Sequence, residues 1–95
     1  MDLNTFNLYL FGGTGDLSNR KLIPAMFRQE TLGNINNDSE IIGLGSRDIS
    51  VDDYTLMVQE SLTNHFPGFN ENDEAWKRFS KRLGYIKIDI NSKED

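Results

Sequence analysis

The sequence predicts an α/β fold: a partial doubly wound parallel sheet of three strands, in the order 3-2-1, with helices between them. Three observations support this prediction. An apolar segment at residues 6–11 runs directly into a glycine turn, two further short apolar segments follow at residues 40–44 and 85–90, and helical patterns separate all three. Strands that alternate with helices are typical of parallel sheets joined by right-handed crossovers.

The first predicted strand, residues 6–11, is apolar at every position except Asn7. Such a run is typical of a parallel strand that is covered on both faces. Glycines follow at positions 12, 13 and 15. Glycine reaches positive φ without steric cost and lets a ligand approach the backbone closely. A helix start comes next, and its unpaired N–H groups attract anions, so the segment predicts a phosphate site.

Beyond the turn, a proline divides the helical segment. We expect a short first turn to about residue 21 and a second helix with Pro24 near its first position, because proline cannot lie inside a helix without clashing. Gly33 is predicted to end this helix. The apolar stripe that would pack on the sheet consists of Leu22, Ile23, Met26 and Phe27.

The second strand is predicted at residues 40–44. Ser50, followed three residues later by Asp53, resembles a capping box and predicts the start of a helix that ends near residue 64. The apolar face of that helix is predicted to consist of Val51, Tyr54, Val58 and Leu62.

A third helix is predicted from about residue 71 to residue 83, with Gly84 as its stop. Trp76 and Phe79 lie on its apolar side and are predicted to belong to the core. The alternating segment at residues 85–90 is the third predicted strand.

Composition narrows the classes of function. The chain has 95 residues, a net charge of -5 and no cysteine. Acidic charge without a basic run argues against nucleic acid and anionic membranes as partners. Without cysteine there is no disulfide or thiol chemistry, and a cytoplasmic location is the expectation. The amino terminus lacks the basic and long apolar regions of a signal peptide.

The glycine turn fits two registers, G-x-G-x-x-S from Gly13 and G-x-x-G-x-x-S from Gly12. Ser18 stands where a dinucleotide fingerprint has glycine or alanine, and it is small enough for close contact between helix and strand. A P-loop is excluded because no Gly-Lys pair occurs. A plain glycine turn without a ligand remains the alternative.

Two sequence segments extend this pattern, GGTGDLS at residues 12–18 and RKLIPA at residues 20–25. Together they resemble the amino-terminal signature of the glucose-6-phosphate dehydrogenase family, G-x-x-G-D-L-A-x-[RK]-K-[LI]-x-P, with Ser18 as the one departure. The resemblance continues through IIGLG at residues 41–45 and IDI at residues 88–90. It implies that residues 1–95 form the amino-terminal half of a dinucleotide-binding (Rossmann-like) domain, truncated from a longer protein.

The resemblance implies an oxidoreductase of the pentose phosphate pathway and of glucose metabolism. That family oxidises glucose 6-phosphate to 6-phosphogluconolactone and passes the hydride to NADP or NAD. The full-length protein is then expected to be a homo-oligomeric enzyme, whereas these 95 residues are not expected to be catalytically competent alone. The alternative is a stand-alone, non-catalytic nucleotide-binding or interaction module.

The candidate cofactor-binding residues of the turn are Gly12, Gly13, Thr14, Gly15, Asp16 and Leu17. Their backbone N–H groups, with the Thr14 hydroxyl, would bind the pyrophosphate. Asp16 has the wrong charge for a phosphate, so we expect it to cap the helix, with direct ligand contact as the alternative. No catalytic residue and no metal ligand are assigned.

At the end of the second strand, Ser46 and Arg47 are the candidates to bind a 2′-phosphate on the ribose of NADP. The family has its arginine at the position of Ser46, and here Arg47 follows one residue later. Asp48 beside it makes NAD conceivable, and Arg47 is a solvated loop residue in the alternative interpretation.

Three further positions complete the interpretation. The resemblance places Asp89 and Ile90, at the end of the third strand, beside the cofactor. It places Lys21 near the sugar-phosphate substrate, although a solvated helix cation is the alternative. His65, the only histidine, lies at a predicted helix end beside Pro67, and we assign it a structural role.

Overall fold

The computed structural model describes residues 6–12, 15 and 18–88. In this part of the chain, three parallel strands alternate with helices, and a π-helical turn precedes the first α-helix. The elements are β1 (Asn7–Phe11), the π-helical turn (Ser18–Leu22), α1 (Ile23–Thr31), β2 (Glu40–Gly45), α2 (Val51–His65), α3 (Glu74–Lys81) and β3 (Leu83–Lys87).

The sheet has the order β1-β2-β3, which is the predicted order 3-2-1 counted from the other edge. Both strand pairs are parallel. Leu8 pairs with Ile41 and Ile41 with Leu83, and three residues further along Phe11 pairs with Leu44. The predicted fold class is therefore confirmed.

The core lies between one face of the sheet and the helices. Its strand residues all belong to that face, because successive side chains of a strand point to opposite sides. The buried cluster consists of Leu10, Ile23, Phe27, Ile41, Tyr54, Val58, Leu62, Trp76, Phe79 and Leu83. Trp76 and Phe79 are thus core residues, as predicted.

The other face of the sheet is open in the described residues, so the prediction of a first strand covered on both faces is wrong here. Tyr9 and Phe11 are 51% and 77% exposed, and Ile86 across the sheet is 48% exposed. Right-handed crossovers that step in one direction along a sheet place their helices on the same side. The helices of this chain therefore leave the opposite face without a covering layer.

The start and end of α1 agree with the prediction. Proline occupies one of its first two positions, where the missing N–H is not needed. Gly33 has φ +74° beyond the last turn, and its N–H donates to the Glu30 carbonyl at 3.0 Å. None of the described helices combines the length and the apolar character that crossing a membrane requires.

Helix α2 also begins as predicted, because the Ser50 hydroxyl accepts the Asp53 N–H at 3.0 Å. Its buried face differs from the predicted one by two residues. Val51 is 44% exposed in the first turn, whereas Ser61 is buried against the π-helical turn, where its hydroxyl donates to the Asn19 carbonyl.

Helix α3 is shorter than predicted, and Gly84 does not end it. At its start, the N–H groups of Asn72 and Asp73 are used in turns closed by Asn70. At its end, the Arg82 carbonyl accepts the N–H of Ile41 in β2 at 2.8 Å. Arg82 therefore lies between α3 and β3, and the described strand begins at Leu83, two residues before the predicted start at residue 85, so Gly84 lies inside it.

A buried ion pair at the amino-terminal edge of the sheet was not predicted from the sequence. Arg82 Nε donates to Glu30 Oε1 at 2.8 Å, and Arg82 Nη1 donates to the carbonyls of Asn36 and Ser39 at 2.7 and 2.8 Å. Arg82 Nη2 and Arg78 Nε both donate to the other carboxylate oxygen, Glu30 Oε2, at 3.3 and 3.2 Å. Charged side chains are rarely buried unless they are paired in this way.

Candidate functional site

The turn after β1 is closed by hydrogen bonds to one carbonyl. Gly12 has φ +68°, and its carbonyl accepts the Gly15 N–H at 2.7 Å and the Ser18 hydroxyl at 3.1 Å. A Cβ at Gly15 would lie 3.0 Å from the Gly12 oxygen. The turn therefore has room for glycine and little more at this position.

The described part of the turn refines one expectation. The Gly15 N–H is used to close the turn, so Gly15 acts through its lack of a side chain more than as a donor to a ligand. The other predicted turn residues, Gly13, Thr14, Asp16 and Leu17, lie outside the described residues. So do Asp89 and Ile90, which were predicted to end the third strand. Their roles stay predictions.

The loop after β2 presents its side chains to solvent. Ser46, Arg47 and Asp48 are all exposed. The Arg47 side chain rests against α2, with Nη1 4.0 Å from the sulfur of Met57, and it pairs with no carboxylate among the described residues. Its backbone carbonyl accepts a hydrogen bond from the Tyr85 hydroxyl at 2.8 Å. Arg47 thus offers an unpaired guanidinium on an anchored backbone.

These two loops are neighbours at the same edge of the sheet. Because Phe11 pairs with Leu44 in a parallel register, the turn that begins at Gly12 lies next to the loop that follows Gly45. Ligands of open α/β sheets bind outside the carboxyl ends of the strands. A glycine turn beside an exposed guanidinium is an arrangement that can bind the pyrophosphate and the ribose phosphate of a dinucleotide.

The π-helical turn carries Lys21, which is exposed. Such turns occur frequently at functional sites. Asn19 and Arg20, from the same turn, line an open groove of about 400 Å³ against α2, and His65 lines its far side. Lys21 is close to the glycine turn in sequence, because the π-helical turn that contains it begins at Ser18.

Two tyrosines, Tyr54 and Tyr85, pack against each other near the loop that follows β2. No role was predicted from the sequence for either hydroxyl. Tyr54 is fully buried, its hydroxyl has no hydrogen-bond partner among the described residues, and burial, with the nearby Tyr85 phenol, raises its pKa to about 12. Its ring lies on Gly43, where a Cβ would be 2.6 Å from Tyr54 Cζ. For Tyr85, the alternating pattern of residues 85–90 predicted only a place in a strand, and gave no indication of a hydrogen bond from its hydroxyl.

Metal ligation has no support in this region. Among the described residues, no group of three or more His, Asp or Glu side chains is arranged to hold a metal ion.

Comparison with known proteins identifies the family of this chain. The sequence profile of the family described as "Glucose-6-phosphate dehydrogenase, NAD binding domain" matches residues 9–95. The chain belongs to this family. The predicted resemblance is therefore confirmed, and nothing in the comparisons favours a stand-alone, non-catalytic module.

Curated members of the glucose-6-phosphate dehydrogenase family resemble this chain over most of its length. Glucose-6-phosphate 1-dehydrogenase of Rhizobium meliloti is 33% identical over 89 residues, which are 94% of this chain and 18% of that protein. The enzyme of Buchnera aphidicola subsp. Schizaphis graminum is 34% identical over 84 residues, 88% of this chain and 17% of its own length. The chain thus spans less than a fifth of the length of these two relatives.

Solved structures of the family have the same fold. Glucose-6-phosphate 1-dehydrogenase from Mycobacterium avium superposes with a TM-score of 0.82 at 26% identity, over 96% of this chain and 19% of that one. A glucose-6-phosphate dehydrogenase in complex with its substrate glucose-6-phosphate gives a TM-score of 0.81 at 27% identity, over 95% of this chain and 18% of that one.

Proposed function

We propose that this chain forms the amino-terminal half of the dinucleotide-binding domain of a glucose-6-phosphate dehydrogenase that uses NADP. The observation that carries this proposal is that a closed glycine turn lies next to a guanidinium that pairs with no carboxylate among the described residues. In the complete protein, the activity would be oxidation of glucose 6-phosphate to 6-phosphogluconolactone. The dinucleotide, when bound, supplies the hydride acceptor. Homo-oligomerisation and a cytoplasmic location are part of the same proposal.

The open face of the sheet supports the assignment to half a domain. A complete doubly wound sheet carries helices on both faces and has its first strand in the interior. Here Tyr9, Phe11 and Ile86 are exposed on the open face, and β1 is an edge strand of the described sheet. The chain spans only 18% of the Rhizobium meliloti relative, and in our proposal the further residues of the complete protein supply the second layer.

The residues present fit a dinucleotide with a 2′-phosphate. In this proposal the turn at Gly12 and Gly15 binds the pyrophosphate, with Gly13, Thr14, Asp16 and Leu17 as its other members. Ser46 and Arg47 would bind the 2′-phosphate, since a hydroxyl and a guanidinium are both donors to phosphate oxygens. Asp48 next to them opposes a phosphate by its charge, which predicts a weaker preference for NADP than arginine at position 46 would provide.

Arg47→Ala tests the cofactor assignment. Dissociation constants of NADP and NAD would be measured by titration calorimetry on the complete protein. We expect NADP binding to weaken by about tenfold or more, because charge-assisted hydrogen bonds are each worth about 1.5–3 kcal/mol, and NAD binding to stay nearly unchanged. Arg28→Ala is the matched control, because Arg28 is also exposed but lies over the Phe66 ring in the last turn of α1. An equal loss for both cofactors, or none for either, would make Arg47 a solvated loop residue.

Lys21 is proposed to bind the sugar-phosphate substrate. The support is its exposed position one turn beyond the glycine loop, together with the family's motif lysine. We expect Lys21→Ala to raise KM for glucose 6-phosphate or to lower kcat by about tenfold, the effect of losing one charged contact, and to change the Kd of NADP little. Lys77→Ala, which removes an exposed lysine from α3, is the control. Unaltered steady-state kinetics with Lys21→Ala would leave Lys21 as a surface cation.

A further inference from the structure

We infer that Tyr85 positions Arg47 and thereby contributes to the discrimination between NADP and NAD. The inference rests on the proposed function, in which Arg47 binds the 2′-phosphate. Its basis is the hydrogen bond of 2.8 Å from the Tyr85 hydroxyl to the Arg47 carbonyl. That bond joins β3 to the loop after β2, two segments separated by 38 residues of sequence.

Besides this bond, the loop that carries Arg47 is held mainly by Ile49, which packs against the core. Residues 46–48 are exposed, and regular structure resumes only at the Ser50 cap of α2. The Arg47 guanidinium lies 4.0 Å from the Met57 sulfur, and a thioether is only a weak acceptor. A phosphate is recognised well only when the guanidinium is placed within about half an ångström of its bonding position. Anchoring the Arg47 backbone reduces the freedom that binding must otherwise remove.

Tyr85 is itself held from below. Its strand position pairs with Gly43, and its ring packs against the fully buried ring of Tyr54, with centroids 5.2 Å apart. The small residue at Gly43 makes room for the Tyr54 ring. A continuous series of contacts therefore leads from the core, through the two rings, to the Arg47 carbonyl.

The test is Tyr85→Phe in the complete protein, which keeps the ring and removes only the hydroxyl. We expect the Kd of NADP to rise about fivefold, the effect of one neutral hydrogen bond, while the Kd of NAD changes less than about twofold. In a background of Arg47→Ala, the same substitution should have no further effect on the Kd of NADP, because the group it positions is gone.

Tyr54→Phe is the matched control. It removes a hydroxyl that has no hydrogen-bond partner among the described residues and keeps the ring that supports Tyr85. We expect it to leave the ratio of the two dissociation constants unchanged, which separates the loss of a tyrosine hydroxyl in general from loss of the bond to Arg47.

The effects of Arg47→Ala and Tyr85→Phe distinguish failure of the role of Tyr85 from failure of the proposed cofactor site. If Arg47→Ala reduces the preference for NADP but Tyr85→Phe does not, Arg47 binds the phosphate without help from Tyr85 and the inference is wrong. Equal weakening of NADP and NAD by Tyr85→Phe would give Tyr85 a purely structural role and would also overturn it. If Arg47→Ala itself has no effect on NADP, the cofactor assignment fails, and the inference fails with it.

Discussion

Ser18 is the residue at which this chain departs from the family signature, and its side chain has a definite role in the structure. Its hydroxyl donates to the Gly12 carbonyl at 3.1 Å, which also accepts the Gly15 N–H. An alanine at this position would fill similar space and form no such bond. The size of serine could be judged from the sequence, but the hydrogen bond depends on where the turn places the carbonyl.

At the residue scale, we predict that Gly15→Val weakens nucleotide binding by more than about tenfold while the protein stays folded. The Cβ would lie 3.0 Å from the Gly12 oxygen, so the turn must move, and its backbone N–H groups would no longer be placed to bind the pyrophosphate. Cofactor titration together with circular dichroism would check this.

Ser18→Ala is the control, because it restores the family residue and removes one hydrogen bond from the same turn. Its effect on cofactor affinity should be a few-fold at most. Unchanged affinity in a folded Gly15→Val protein would contradict the assignment of this turn to phosphate binding.

At the element scale, β2 owes its close contact with α2 to a glycine. Gly43 is buried beneath the Tyr54 ring, and any side chain there would collide with it. The helical periodicity of α2 correctly predicted that Tyr54 faces the sheet. It could not indicate which strand residue the ring would meet, since that depends on how helix and strand are offset.

Gly43→Ala is therefore expected to destabilise the fold by about 1–3 kcal/mol, because the added Cβ overpacks a fully buried ring. The free energy of unfolding would be measured by urea denaturation. Gly84→Ala, in the neighbouring strand, is the matched control. Its Cβ would meet only the Ile42 Cδ1, at 3.4 Å, and we expect a change within about 0.5 kcal/mol. Equal effects of the two substitutions would contradict the packing explanation.

At the scale of the whole molecule, the two ends of the parallel strands carry different features. The glycine turn and the Arg47 loop lie at the carboxyl ends. The amino edge carries the Glu30–Arg82 pair, which joins α1, the loop before β2 and the start of β3. The buried ion pair thus lies at the opposite end of the strands from the candidate site, and it joins the sheet to α1 independently of the exposed site loops.

We predict that Glu30→Ala lowers the free energy of unfolding by about 3–5 kcal/mol, since it leaves the Arg82 guanidinium buried without its counter-ion. The comparison variant is Glu74→Ala, which breaks an exposed pair with Lys77 at 3.5 Å and should cost at most about 1 kcal/mol. Urea denaturation of both would decide the matter. A loss below about 1 kcal/mol for Glu30→Ala would mean that water or another hydrogen-bond acceptor replaces the carboxylate.

The sequence by itself determined the order of strands and helices, the parallel sheet, the glycine turn, the proline at the start of α1, the serine cap of α2 and the family. The glycine turn, the proline and the serine cap follow from residues within about four positions of one another, where backbone sterics and local hydrogen bonds act directly. The parallel sheet and the family follow from the order of such segments along the chain. Only the tertiary structure decided that β1 has an open face, that Arg82 ends α3 and pairs with Glu30, and that Tyr85 bonds to the Arg47 loop. Those contacts join residues 38 and 52 positions apart, and they form only when the crossovers bring the strands into register.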